Sequence, residues 1–421
     1  MSIKSKILKS ATGSLFLIAG TFSTSSFATI NQIDPKQDFI TYSQLMELQE
    51  TAQLAEDIWA NLTGEFVSQY ESGQYNQAAA TAQVAYDLAE KSFGPNDINT
   101  ADSLLKLGIV NDSMGNIEKA KEDLIGALTI LEDKLGPNHL DVAVVLTNLA
   151  NVYFEEGNNV KSETYHLRAL KIREQNLGPR DATVAQSMYN LAVLYDDMQD
   201  YDKATRLYQN AIDIWNDTLG QTHPYVANAL NNLANVYIVK GEYKRATELH
   251  KQSLAIRRQI YGNNHPEVAR SIINLASLYV KENDYDDAQK LYEEAVPLTE
   301  KLLGPAHPQL AMLLYSLANV YHIQGRLSME QHDKPVAGKA GDIHKTAYTA
   351  SGSSEDSKAQ TYFKRALPLY ERALAIFDTS MDNDHPALTA MLNELALLYK
   401  SVGKNKQAEK VMLRLSHLQG N

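Results

Sequence analysis

The stretch LNNLANVYIVKGEYKRA, residues 230–246, decides how this chain folds. Leu230, Leu233, Ala234 and Tyr237 recur at helical spacing, and Gly241 breaks the run. Tyr243 and Ala246 then open a second helical pattern that continues to Gly262. Upstream, Pro224 suits a helical first turn, where no backbone N–H is missed. The stretch therefore joins two antiparallel helices by a short turn.

The same text recurs. GPND begins at Gly94, GPNH at Gly136, GPRD at Gly178, GQTH at Gly220, GNNH at Gly262 and GPAH at Gly304, each 42 residues after the last. Tyr153, Tyr195, Tyr237, Tyr279 and Tyr321 keep that step, as do NLA at Asn148, Asn190, Asn232 and Asn274, and SLA at Ser316. A last copy, with ELALLY at residues 394–399, comes 78 residues after its counterpart, so 36 extra residues interrupt the seventh unit. One helix pair cannot bury its apolar face alone, whereas stacked pairs bury a continuous core. The period thus predicts an all-α, right-handed α-solenoid of stacked antiparallel helix pairs.

The pattern L-x-x-L-A-x-x-Y-x-x-x-G-x-Y-x-x-A, carried by Leu230, Leu233, Ala234, Tyr237, Gly241, Tyr243 and Ala246, resembles the tetratricopeptide repeat. The 42-residue period and the G-x-x-H-P turn resemble its kinesin light chain type, over about residues 58–418. The resemblance implies a superhelix whose first helices line a concave groove, where asparagines hold the backbone of an extended partner.

The ends read differently. Lys4, Lys6 and Lys9 precede a short apolar run at residues 14–22, and residues 26–28 read SFA. This is the pattern of a signal peptide cleaved after Ala28. Export follows as the expectation, to a periplasm most simply, with secretion as the alternative. Residues 29–57 read as an N-terminal capping helix region, and residues 58–421 as a solenoid of about eight helix pairs. Residues 326–361, rich in Gly, Ala, Ser and charge, read as a flexible insertion between the helices of unit seven. Pro368 beyond it is expected to kink the second helix or mark its start, and Pro297 raises the same question in unit six.

Composition narrows the chemistry. Lys and Arg total 39 against 51 Asp and Glu, a balance that repels nucleic-acid phosphates. There is no Cys, hence no disulfide and no thiolate metal site. Beyond the leader no run is long enough for membrane insertion. His139, His223, His265, His307 and His385 recur one repeat apart in the turn before a helix, which suits a turn residue and not a metal cluster. No phosphate loop, G-x-S-x-G or paired-carboxylate arrangement occurs, so no catalytic residue and no cofactor is expected.

The asparagines remain. A helix advances ~100° per residue, so Asn228, Asn231, Asn232 and Asn235 share one arc, opposite Leu230, Leu233 and Tyr237. That stripe is expected to face away from the core. Asn151 and Asn319 match Asn235; Asn190 and Asn274 match Asn232; Arg270 matches Asn228; Tyr315 matches Asn231. No Lys stands at the Asn231 position of units three to seven, which departs from groove-lysine clamps of a terminal carboxylate in the resembling family. These ten residues are the candidate partner-binding set, joined by Tyr189, Ile273 and His322 as apolar or mixed neighbours. For the Asn232 position, bonding to the next repeat and contact with a ligand stand as alternatives. The expected function is a non-catalytic scaffold that binds an extended segment of a protein or peptide; the alternative is a structural solenoid that self-associates through its ends or convex face.

Overall fold

His139 shows how a unit begins. Its Nδ1 accepts the Asp141 backbone N–H at 3.2 Å and caps the helix that follows. His223, His265 and His307 do the same for Tyr225, Glu267 and Gln309, each at 3.2 Å. Asp97 and Asp181 place a carboxylate in that role, on Asn99 at 2.8 Å and Thr183 at 2.7 Å. The recurring histidines are therefore helix caps, as the turn reading expects, except that His385 lies outside the described residues.

The structure, a computed structural model, describes residues 42–330, 354–380 and 386–419. The signal-peptide reading and the centre of the insertion fall outside them. The described residues form sixteen helices and no strand. Eight pairs follow in order: α1 (Tyr42–Glu71) with α2 (Tyr75–Phe93), α3 (Ile98–Ser113) with α4 (Ile117–Leu135), α5 (Leu140–Glu155) with α6 (Asn159–Leu177), and α7 (Ala182–Asp197) with α8 (Tyr201–Thr218). Then come α9 (Pro224–Val239) with α10 (Tyr243–Tyr261), α11 (Pro266–Lys281) with α12 (Tyr285–Leu303), α13 (Pro308–Glu330) with α14 (Ser354–Ser380), and α15 (Pro386–Ser401) with α16 (Asn405–Gln419).

The chain divides into two compact bodies, Met1–Ala229 and Leu230–Asn421. In the first, each helix from α1 to α8 packs on its neighbours in sequence. In the second, α10 to α16 do likewise. The repeated Leu of "NLA" supplies the core in both: Leu149 and Leu191 in the first, Leu233, Leu275, Leu317 and Leu395 in the second, all 4 % exposed or less. Of the repeated tyrosines, Tyr153, Tyr195, Tyr237, Tyr321 and Tyr399 are buried and Tyr279 is half-buried. Tyr195 donates to Glu163 at 2.5 Å and Tyr399 to Glu371 at 2.8 Å, each on the second helix of the preceding pair. Trp59 and Trp215 are core, as expected.

Two expectations need correction. Pro368 does not start a helix: α14 begins at Ser354 and runs through it, as α12 runs through Pro297. Both prolines sit on exposed helix faces, where water can satisfy the carbonyl each leaves without a donor. The insertion is also narrower than 326–361, since α13 continues to Glu330 and α14 is already helical from Ser354. The reason lies at Gly325. Its counterparts Gly157 and Gly241 end their helices at φ 83° and 75°, but Gly325 remains helical. The insertion splits the Gly-x-Tyr turn, and the Phe363 ring, standing at the Tyr position, packs against the bare Gly325 backbone.

Candidate functional site

The candidate residues stand on the first helix of each pair. Geometry puts the asparagines on one arc, but that arc is closed to water at Asn231 and Asn232 and only half open at Asn228 and Asn235. Asn190, Asn231 and Asn232 are 2 %, 9 % and 8 % exposed, which overturns the expectation that the stripe faces away from packed structure. A helix flanked by other helices has little free perimeter, so even its polar face is covered. Tyr189, expected as a groove anchor, is also core: it packs edge-on against Tyr208, with ring centroids 5.6 Å apart, and tilts on Trp215.

The buried amides answer one another. In the second body, Asn274 Nδ2 donates to Asn231 Oδ1 at 3.3 Å, and Asn231 Nδ2 donates to Asn232 Oδ1 at 3.4 Å. This joins the first helices of consecutive repeats, so the repeat-bridging alternative holds for Asn274. In the first body the amides stay within their own helix: Asn190 accepts from Gln186 at 2.9 Å, and Asn148 donates to the Val144 carbonyl at 2.9 Å.

The Asn235 position behaves differently. Asn151, Asn235 and Asn319 are all half-buried. Asn319 accepts the Tyr370 hydroxyl, and Tyr315 meets the same ring edge-on, with centroids 5.8 Å apart. Tyr315 and Asn319 are thus brought together by α14. Asn151 has a carbonyl oxygen that is shut from water and has no hydrogen-bond partner. Asn228 is half-buried at the start of the same stripe, and Arg270 is exposed and paired with Glu267.

Beside Asn319, His322 is 2 % exposed, and its Nδ1 lies 3.2 Å from Glu394 Oε2 on α15. The hydrogen bond from His322, helped by the Arg326 charge, holds the Glu394 carboxyl below its usual range against the opposing effect of burial. Tyr370 is pushed well above the usual phenol range by burial, with Glu394 adding to it.

Sequence reasoning missed Lys106. It stands in unit two at the Asn232 position, 3 % exposed, ion-paired with the buried Asp102 and 5.9 Å from the Trp59 ring centroid. One more step of 42 back from Asn148 would have found it. Among the described residues no cluster of His, Asp or Glu could hold a metal ion, and no helix is long and apolar enough to cross a membrane.

The family model of the tetratricopeptide repeat matches residues 113–175, 141–217, 183–258, 225–301 and 274–329. The chain belongs to the tetratricopeptide repeat family. Proteins of this family generally mediate protein–protein interactions and are generally non-catalytic. Solved structures similar to it include nearly identical TPR-like repeats of the kinesin light chain kind from Podosopora anserina, at 23 % identity over 56 % of this chain and 95 % of that one, TM-score 0.42. BtubC (BKLC) from P. vanneervenii is 19 % identical over 70 % of this chain and 99 % of its own, TM-score 0.45. The apo form of RapI is 15 % identical over 76 % and 97 %, TM-score 0.44. No curated protein matches the sequence.

Proposed function

We propose that this protein is a non-catalytic scaffold whose first-helix faces hold an extended segment of a partner protein. One observation carries the reading. Asn151 keeps a carbonyl oxygen dry and unpartnered at a repeat position that is also occupied by an amide at Asn235 and Asn319. A buried acceptor without a donor is costly by about 1–3 kcal/mol, and a guest main-chain N–H would remove that cost. An uncharged amide offers donors and an acceptor together, so it suits the backbone of many sequences. Ile273 and Tyr315 lie half-buried on the same kind of face and add apolar anchorage. The acidic balance disfavours nucleic acid as partner.

The test uses peptides selected for binding to the wild-type protein from a displayed library of extended sequences. The double variant Asn151→Ala, Asn235→Ala keeps the wild-type circular dichroism and binds them about tenfold more weakly, a loss of ~1.4 kcal/mol. Equal binding by the double variant overturns the assignment. Asn319 is left intact because Tyr370 depends on it. The leader at residues 1–28 supports an exported protein, periplasmic or secreted, and N-terminal sequencing of the mature protein is expected to begin at Thr29.

A further inference from the structure

Two positions of the repeat lie at the joint between consecutive pairs. On the second helix, Leu124, His166, Tyr208, His250, Tyr292 and Tyr370 are successive members of one position and are all 3 % exposed or less. On the first helix, Val142, Val184, Val226, Val268, Leu310 and Leu388 are successive members of another, all 2 % exposed or less. Inside the chain the two positions belong to common cores: Leu124 shares a core cluster with Val142, and Tyr292 and Tyr370 share one with Leu310 and Leu388.

At each end of the repeat series one of these positions is exposed among the described residues. Ile58 on α1 stands where those valines stand, yet is 44 % exposed, next to Leu54 at 60 %. Met412 on α16 stands where those tyrosines stand, yet is 45 % exposed. Repeat proteins normally end in units with a polar outer face. Here each end keeps an apolar residue at the stacking position.

The ends also differ in charge. Helix α1 carries six carboxylates and no Lys or Arg. Residues 386–419 carry five Lys or Arg against two Glu, in a chain of net charge −12. On α16, Lys406 and Lys410 are exposed away from the Met412 face, and Glu409 is the exposed charge one helical turn before Met412. On α1, Glu50, Asp57 and Glu65 are exposed around Ile58.

We infer that the last helix pair of one molecule stacks on the first helix pair of another, head to tail, with Met412 and Ile58 joining one apolar core as the equivalent positions do inside the chain. The occupant is a second copy because the joint continues the repeat stacking and because basic meets acidic. Such a contact is heterologous: each copy contributes a different face and keeps the other free. The inference is independent of the peptide-binding reading, since Ile58 and Met412 lie outside the candidate residues.

Sedimentation velocity on the purified protein tests it. The expected result is a sedimentation coefficient that rises with concentration, with association weakened about tenfold at 1 M salt, where the Debye length is ~3 Å. Ile58→Lys and Met412→Asp, both at exposed positions, each abolish the rise while leaving circular dichroism unchanged. Mixing the two variants restores complexes, because the intact tail of the first meets the intact head of the second. A concentration-independent monomer overturns the inference, whether the ends are covered by another segment of the chain, by a different protein or by water. Association that survives both substitutions, or that mixing does not restore, overturns it equally.

Discussion

Asn319 Oδ1 accepts the hydroxyl of Tyr370, a residue with no exposed surface, across the pair formed by α13 and α14. The equivalent amide of Asn151 has no such partner for its oxygen. One repeat position therefore serves two purposes. Asn319→Ala strands a buried phenol hydroxyl and is expected to destabilise the protein by about 1–3 kcal/mol in urea denaturation. Asn151→Ala removes an acceptor that was already unsatisfied, so it is expected not to destabilise the protein and to stabilise it by up to about 1–3 kcal/mol. Equal losses from both would refute the division of roles.

Acid should weaken the second body through His250. Its two ring nitrogens are buried without hydrogen-bond partners, and burial, with the nearby Arg257 charge, lowers its pKa to about 4. A histidine kept neutral in the fold contributes stability that is complete above its unfolded pKa of about 6.5. That contribution is lost as pH falls from there toward 4, on the order of 3 kcal/mol in total. Leu124 holds the same position in unit two at no exposure, so His250→Leu is a size-compatible change. The variant is expected to show a flatter stability profile between pH 6.5 and pH 4, read by denaturation midpoints at each pH, and to be no less stable at pH 7 because two unsatisfied polar atoms are gone. In the first body His166, lowered to about 3 by burial and by Arg173, leaves some acid sensitivity in place.

Gly325 gives a test of how the insertion is accommodated. In an ordinary helix interior Gly→Ala gains up to about 1 kcal/mol. Here a Cβ would stand within 3.0 Å of three Phe363 ring atoms. Gly325→Ala is expected to destabilise by about 1–3 kcal/mol, as overpacking does. Adding Phe363→Leu to Gly325→Ala should recover part of that loss in a double-mutant cycle; strict additivity would show that the ring does not need the bare backbone.

The period of 42 made the helix pairs, their turns and their leucine core legible, because Leu233 and its counterparts meet the same surroundings in every repeat. The capping histidines were legible as turn residues for the same reason. The candidate face was legible only in part. An arc drawn on one helix separates Asn232 from Leu233, but it carries no information about the neighbouring helix that brings Asn274 onto Asn231. Nor does it place Tyr370 against Asn319, because that contact spans 51 residues and the insertion. Periodicity also hides what breaks it. Lys106 occupies the Asn232 position without sharing the residue type that recurs there, so the repeat pattern alone does not mark it.

That lysine offers the last prediction. Lys106 and Asp102 pair one helical turn apart on α3, with side chains only 4 % and 7 % exposed, and Trp59 lies over the ammonium and donates to Ser103 at 2.8 Å. Removing one partner of a buried pair leaves an uncompensated charge, so Lys106→Ala is expected to cost about 3–5 kcal/mol. Unit three shows what replaces both at once: Val144 stands at the Asp102 position and Asn148 at the Lys106 position, with the Asn148 amide donating to the Val144 carbonyl at 2.9 Å. The double variant Asp102→Val, Lys106→Asn imports that solution into unit two. It is expected to recover most of the stability lost by Lys106→Ala and to equal or exceed the wild type, since apolar or neutral replacement of a buried pair is often neutral or stabilising. Thermal denaturation of the two variants beside the wild type measures it. A double variant as unstable as Lys106→Ala would show that the pair is required by its surroundings in unit two and not merely tolerated there.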